Sequence, residues 1–247
     1  MCFGTRVTTS IKDLQKYYNV TKLVGKTPVE DNLMYHHANG WAHPLMWIIP
    51  QEKNQHITPS MWGIMPANGL GADYQTYYKG AARFGAGLNA RSEKLFDHFI
   101  YKHSAYSKRC IIPVDGFFEP HTAPKNFKVP FYFERINREP ISLAGIYTTT
   151  KDGYNTFTIL TKEATPLFEK IHNTKKRRPV ILQDDAIETW LHAGLSQNEI
   201  EAVIKQDMPD SELKAYPISK DLYSRKIDSN RPDIIKEVPY QELEIEY

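Results

Sequence analysis

The 247-residue chain carries 31 Lys and Arg against 29 Asp and Glu, a formal net charge of +2, which excludes a general basic coat and leaves room only for a local nucleic-acid patch. Two cysteines, Cys2 and Cys110, with no Cys-x-x-Cys or comparable spacing, exclude a disulfide framework and a cysteine metal site and fit a reducing cytoplasmic compartment. The N-terminus, MCFGTRVTTSIKDLQ, is polar within a few residues, and no apolar run approaches the ~20 residues of a membrane span, so a soluble protein without membrane, metal or cofactor is expected.

Taken in chain order, residues 9–19 read as a helix capped by Ser10, with Asp13 three residues on and Leu14, Tyr17 and Tyr18 at helical spacing. Residues 32–88 are rich in His, Pro, Gly and aromatics and read as long loops, with short strands near Trp47-Ile48-Ile49 and Trp62-Gly63-Ile64. Asn89 opens a segment leading into a helix with Leu95, Phe96 and Phe99 on one side. Four strands follow as β-branched and aromatic runs between turn residues: Arg109 to Phe118, Val129 to Ile136, Ile141 to Thr149 and Tyr154 to Thr161.

A short helix spans 165–172, with Thr165 as cap and Pro166 in the first position. A helix pair occupies about 184–193 and 196–206; Gly194 stops the first, and Ser196 with Glu199 forms a capping box for the second. Short extended pieces lie around Tyr216-Pro217-Ile218 and Ile234-Ile235. Helices and strands do not alternate regularly, so a doubly wound parallel sheet is excluded in favour of an α+β fold. The expectation is one compact, monomeric domain over residues 1–247, with a curved mixed β-sheet or barrel-like core flanked by helices.

The residue with the most distinctive chemistry is Cys2. Aminopeptidases remove an initiator Met before a small residue, and Cys qualifies. The product is a 1,2-aminothiol, whose amine has a reference pKa near 7.7–8.0. Such an amine condenses with an aldehyde to a Schiff base. The tethered thiol can then close a five-membered thiazolidine, gaining effective molarity. An internal cysteine cannot do this, because its nitrogen is an amide. The alternative is that Cys2 is an accident of a mobile terminus.

Several segments stand in order behind Met1-Cys2: Trp62-Gly63-Ile64-Met65-Pro66, Leu88-Asn89-Ala90-Arg91-Ser92-Glu93, Arg109 to Glu119 (RCIIPVDGFFE), Leu143-Ala144-Gly145-Ile146-Tyr147, Phe157 to Thr161, and Ile171-His172-Asn173 leading to Arg178-Pro179-Val180-Ile181-Leu182. Together they resemble the SRAP (SOS response-associated peptidase) family over roughly residues 1–240. The resemblance implies covalent capture of abasic sites in single-stranded DNA through the N-terminal cysteine, as part of the DNA damage response. It also implies self-removal of the residues before that cysteine, and β-elimination from the Schiff base would give a lyase side activity. An alternative use of the same residues is a thiol peptidase built on Cys2 and His172.

The resemblance assigns Cys2, Asn89, Glu119 and His172 to catalysis. Asn89 would hold the Cys2 amine, or else serve as a plain helix cap. Glu119 ends an apolar strand; it would carry protons during imine formation and ring closure, or else face solvent. His172 would protonate the sugar ring oxygen to open the hemiacetal, or else sit at a helix C-terminus on the macrodipole. Arg91, Ser92 and Thr161 look like phosphate contacts. Trp62 reads either as a base-stacking wall or as core. Cys110 reads as inert filling. The run Lys175-Lys176-Arg177-Arg178 reads either as a phosphate track or as a solvated loop.

The chain departs from the family pattern in three places. Phe3, Gly4 and Thr5 precede Arg6 where the family begins Cys-Gly-Arg, Pro120 stands where Trp is usual, and three residues are added between His172 and Pro179.

Overall fold

The computed structural model describes residues 2–23, 33–206, 208–241 and 243. Met1, whose removal the sequence reading requires, lies outside them. In chain order the elements are β1 (Gly4–Val7), α1 (Ile11–Tyr18), β2 (Thr21–Lys22), β3 (Tyr35–Asn39), β4 (Leu45–Pro50), β5 (His56–Trp62), α2 (Tyr74–Ala81), β6 (Asn89–Arg91), α3 (Tyr101–Ser107) and β7 (Arg109–Val114). They continue with β8 (Gly116–Ala123), β9 (Phe127–Arg135), β10 (Ile141–Thr149), β11 (Asn155–Glu163), α4 (Pro166–Ile171), β12 (Arg177–Pro179), β13 (Ile181–Leu182), α5 (Ile187–Leu191), α6 (Gln197–Lys205) and β14 (Leu213–Pro217).

Two sheets form from these strands. The first is antiparallel, in the order β14-β9-β8-β1-β3. In the second, β5-β4-β7-β10-β11 pair in succession, and a parallel pairing of β11 with β5, at Thr156↔Met61 and Phe157↔Trp62, closes them into a ring. The fold is thus α+β with a curved mixed sheet, as the sequence led one to expect.

Strand periodicity explains where the core sits. Along β7, Cys110, Ile112 and Val114 face a core shared with Cys2, Val7, Phe117 and Phe133 of the first sheet. The alternate residue Ile111 faces a second core, closed by Trp190 of α5 and Ile200 of α6. Both faces of β7 are therefore covered, and such a strand reads as a continuous apolar run rather than an alternation.

The caps at Ser10 and Ser196 form as read, whereas Thr165, at the N-cap position before Pro166, makes no cap bond and donates its hydroxyl to Asp210 Oδ1 at 2.6 Å. Ser10 Oγ accepts from Asp13 N at 3.2 Å, and Ser196 and Glu199 make a reciprocal capping box. Three expectations are corrected. Between residues 33 and 88 the strand expected near Trp47-Ile48-Ile49 forms as β4 and the one expected near Trp62 as the end of β5, but β3 and the helix α2 stand where loops were expected. The helix after Asn89 begins only at Tyr101, and Phe99 is left exposed. Residues Pro232–Ile235 form a 3₁₀ turn instead of an extended piece, with Pro232 opening it.

Arg109 anchors two helix ends to the ring. It is fully buried, and its guanidinium meets carbonyls rather than a carboxylate. Nε donates to Trp190 O at 2.8 Å, Nη1 to Ala105 O at 2.8 Å and Tyr106 O at 3.0 Å, and Nη2 to His192 O. These carbonyls close the C-terminal turns of α3 and α5, where the macrodipole is negative and accepting groups are otherwise unpaired. Arg109→Met keeps the stem and strands those carbonyls. It is expected to lower unfolding stability by about 3 kcal/mol or more, since each buried unsatisfied group costs ~1–3 kcal/mol; urea unfolding measures this.

Candidate active site

β1 places Cys2. Gly4 pairs with Asn39 of β3 on one side and Phe118 of β8 on the other, so the chain start is sewn into the middle of a sheet. Beyond it, Asp115 accepts from the backbone N–H groups and hydroxyls of Thr8 and Thr9 and pairs with Arg6 at 3.5 Å. Two further bonds hold the segment before β1: Asn89 Nδ2 donates to Cys2 O at 2.8 Å, and Gly40 N donates to Phe3 O at 2.8 Å. The Cys2 side chain is buried, its thiol donating to Gly4 O at 3.5 Å. Burial pushes the thiol pKa up, and the nearby charge of Glu119 pushes it further, so the thiol is protonated at neutral pH.

Asn89 reaches Cys2 because Gly87 turns the chain. Its φ of +67° suits glycine, and an added Cβ would lie 2.6 Å from Ile64 O. Ile64 N donates to Gly87 O at 3.0 Å, and β6 then runs parallel to β11, with Asn89 opposite Ile159 and Arg91 opposite Thr161. Asn89 is thus a strand residue, and the helix-cap reading is corrected. Its donor meets the Cys2 carbonyl rather than the amine, while its buried Oδ1 has no partner among the described residues. Strand alternation puts exposed Arg91 on the same face as Asn89, with Ala90 turned into the core.

Glu119 and His172 come together. Glu119 is fully buried on β8, so the solvent-facing reading is corrected. Its Oε2 lies 3.3 Å from Nδ1 of His172. His172 caps the end of α4 and is 2% exposed. Its Nδ1 also lies 2.9 Å from Arg177 O. A carbonyl only accepts, so Nδ1 carries the proton and Nε2 is the basic nitrogen of the neutral ring. Burial lowers the His172 pKa, and Glu119 opposes that only in part; the ring is neutral at pH 7.

Residues 1–225 match the family model described as SOS response associated peptidase (SRAP). The chain belongs to the SRAP family. Relatives include a Bacillus subtilis protein named abasic site processing protein YoqW, 29% identical over 196 residues, with 78% of this chain and 81% of that protein covered. A Saccharomyces cerevisiae protein named abasic site processing protein YMR114C is 29% identical over 141 residues, covering 55% of this chain and 37% of that one. A crystal structure from Bacteroides thetaiotaomicron superposes with a TM-score of 0.82 at 26% identity, covering 96% of this chain and all of that one.

The other residues singled out on SRAP resemblance are spread differently. Thr161 is buried; its hydroxyl donates to Ala90 O at 3.4 Å and accepts from Arg177 Nη2 at 3.1 Å. Arg177 also grips Glu93 bidentately at 2.7 and 2.9 Å. Thr161 therefore ties the Ser92-Glu93 segment to the His172 loop and presents no surface to a phosphate here. Ser92 is half-buried at the end of β6. Trp62 is buried, with Nε1 donating to Leu88 O at 2.9 Å, so neither ring face is open to a base. The basic run splits in two: Lys175 and Lys176 are exposed, whereas Arg177 and Arg178 are buried in ion pairs with Glu93 and Asp210. Cys110 is buried filling in β7.

Sequence reasoning missed His37. It sits on β3 beside Gly4, where an added Cβ would lie 2.7 Å from His37 Nε2, and its Nδ1 meets Ser229 Oγ at 2.7 Å. Burial lowers its pKa to about 4, partly opposed by Asp228. An unfolded His titrates near 6.5. As pH falls, the unfolded chain therefore takes up the proton first; the contribution to stability is complete above about pH 6.5 and is lost towards pH 4. Stability is expected to fall by up to about 3 kcal/mol over that window on account of His37 alone. His37→Asn should flatten that part of the pH profile of the urea midpoint.

Proposed function

We propose that the protein captures abasic sites in single-stranded DNA covalently through Cys2 once Met1 is removed. The observation that carries this is the setting of Cys2: its backbone is pinned by Asn89, and its thiol is enclosed beside the Glu119–His172 pair. The Asn89 Oδ1, lacking a partner among the described residues, is the acceptor suited to the Cys2 amine.

The steps balance without an oxidant or reductant. The amine nitrogen attacks C1′ of the open-chain sugar, and the carbinol oxygen leaves as water. Sγ then attacks the C=N carbon, the π pair moves to nitrogen, and nitrogen takes the thiol's proton. Aldehyde and aminothiol give a thiazolidine and one water. Because the thiol is protonated, its proton needs a carrier, and Glu119 is the acceptor next to it. His172, neutral with its basic nitrogen at Nε2, exchanges a proton with the sugar during ring opening. Exposed Arg91, on the Asn89 face, takes a phosphate. A thiol peptidase would instead use a Cys2–His172 pair with a lowered thiol pKa; the upward shift at Cys2 favours capture.

The test mixes protein, shown by intact mass to begin at Cys2, with single-stranded DNA containing one abasic site. A denaturation-resistant adduct mapped to Cys2 is expected. No adduct, or one mapped to a lysine, overturns the reading.

A further inference from the structure

Next to Cys2 in the chain, Phe3 and Gly4 border a cleft of about 500 Å³, a volume in the range of small-ligand sites. Its walls come from the β3 turn, the end of β8 and the C-terminal residues 222–229. The turn raises Trp41, which is 47% exposed and packs on Phe3 with ring centroids 5.3 Å apart. Asn39 fixes that turn by accepting from Trp41 N at 3.0 Å. Gly40 lets it press on the N-terminal segment, because an added Cβ would lie 3.2 Å from Phe3 O. Trp41 is thus rigidly coupled to the residue that follows Cys2.

The opposite wall is strapped down. Asn230 Oδ1 accepts from His36 N at 2.8 Å and His37 N at 3.2 Å, and Arg231 pairs with Asp221. This strap carries Arg225, among the described residues the one charged residue lining the cleft; it is exposed and makes no ion pair among them. No carboxylate lines the cleft among the described residues. A half-open indole and an unpaired guanidinium around a neutral cavity suit a planar base joined to an anion.

We infer that this cleft, given abasic-site capture at Cys2, is a subsite for the nucleotide adjoining the lesion, its base stacking on Trp41 and its phosphate meeting Arg225.

The experiment uses three single-stranded oligonucleotides, each with one abasic site. One has normal neighbours; in the others a baseless tetrahydrofuran residue replaces the neighbour on the 5′ or the 3′ side. Crosslinking rates at subsaturating DNA are measured for the wild type and Trp41→Ala. The same oligonucleotides are titrated by anisotropy with Cys2→Ala and with Cys2→Ala/Trp41→Ala. Removing one of the two neighbouring bases is expected to weaken wild-type capture and Cys2→Ala binding roughly 10-fold, within the range for one base–aromatic stack. Trp41→Ala should already show that loss with normal DNA and suffer no further loss with that oligonucleotide. Arg225→Gln in the Cys2→Ala background should reduce the slope of log affinity against log salt by about 0.7, one single-strand phosphate contact.

A base penalty that persists in the Trp41→Ala proteins, no penalty on either side, or an unchanged salt slope overturns the subsite. Absence of adduct with every oligonucleotide overturns capture instead. The anisotropy arms still decide the subsite in that case.

Discussion

Cys2→Ser is expected to lose the denaturation-resistant adduct by roughly 100-fold or more while still being trapped on abasic DNA by borohydride. The serine protein starts with the same primary amine, so imine formation survives and the reductant fixes it. Without reductant the imine hydrolyses, because a hydroxyl is a far poorer nucleophile than sulfur at the neighbouring carbon. The ring-closing sulfur is worth so much because it is tethered, and well-placed intramolecular groups reach effective molarities of about 10⁵ M and above. Serine is close in size to cysteine and can donate to Gly4 O as the thiol does, so the N-terminal segment should keep its place. Asn89 should go on holding the residue-2 carbonyl. Unreduced adduct at the wild-type level in Cys2→Ser would mean that sulfur is not part of the linkage.

How much of this could be seen beforehand depends on whether a feature is local. Caps are local: Ser10 with Asp13, and Ser196 with Glu199, are recognisable because four consecutive residues contain the whole interaction. The strands expected from Arg109 to Thr161 are long β-branched and aromatic runs, and they survive, the first broken at Asp115 into β7 and β8 and the others as β9 to β11. Helix α2 was hidden by its composition, yet Tyr74, Tyr77 and Tyr78 stand at the i, i+3, i+4 spacing that would have revealed it. Trp62 and Trp41 show the limit. Both are aromatics in a His- and Gly-rich stretch, and only tertiary structure makes the first core and the second half-open. The ion pair of Arg177 with Glu93 joins residues 84 apart in the chain. A run of four basic residues gave no sign that its second half would be buried.

Glu119 bears the heaviest proton traffic in the proposed reaction, and Glu119→Gln tests it without changing the side-chain volume. Adduct formation at pH 7 is expected to slow by about 100-fold or more, as for loss of a positioned general base. The defect should also depend on pH in a particular direction. Burial, with the Glu119 charge as the next cause, keeps the Cys2 thiol protonated. Removing that charge eases thiolate formation, so at high pH the thiol can lose its proton to solvent and the variant needs no carrier. The gap between variant and wild type should therefore narrow steadily from pH 7 towards pH 10. His172→Gln should behave differently. Burial lowers its pKa, so the ring is neutral at pH 7 and its loss should slow the step that opens the sugar by a factor that stays flat above pH 7. A lesion already held as the open aldehyde should be captured by His172→Gln at close to the wild-type rate but still slowly by Glu119→Gln. Equal rescue of both variants by the open aldehyde would place the two groups on the same step and remove the proposed division of labour.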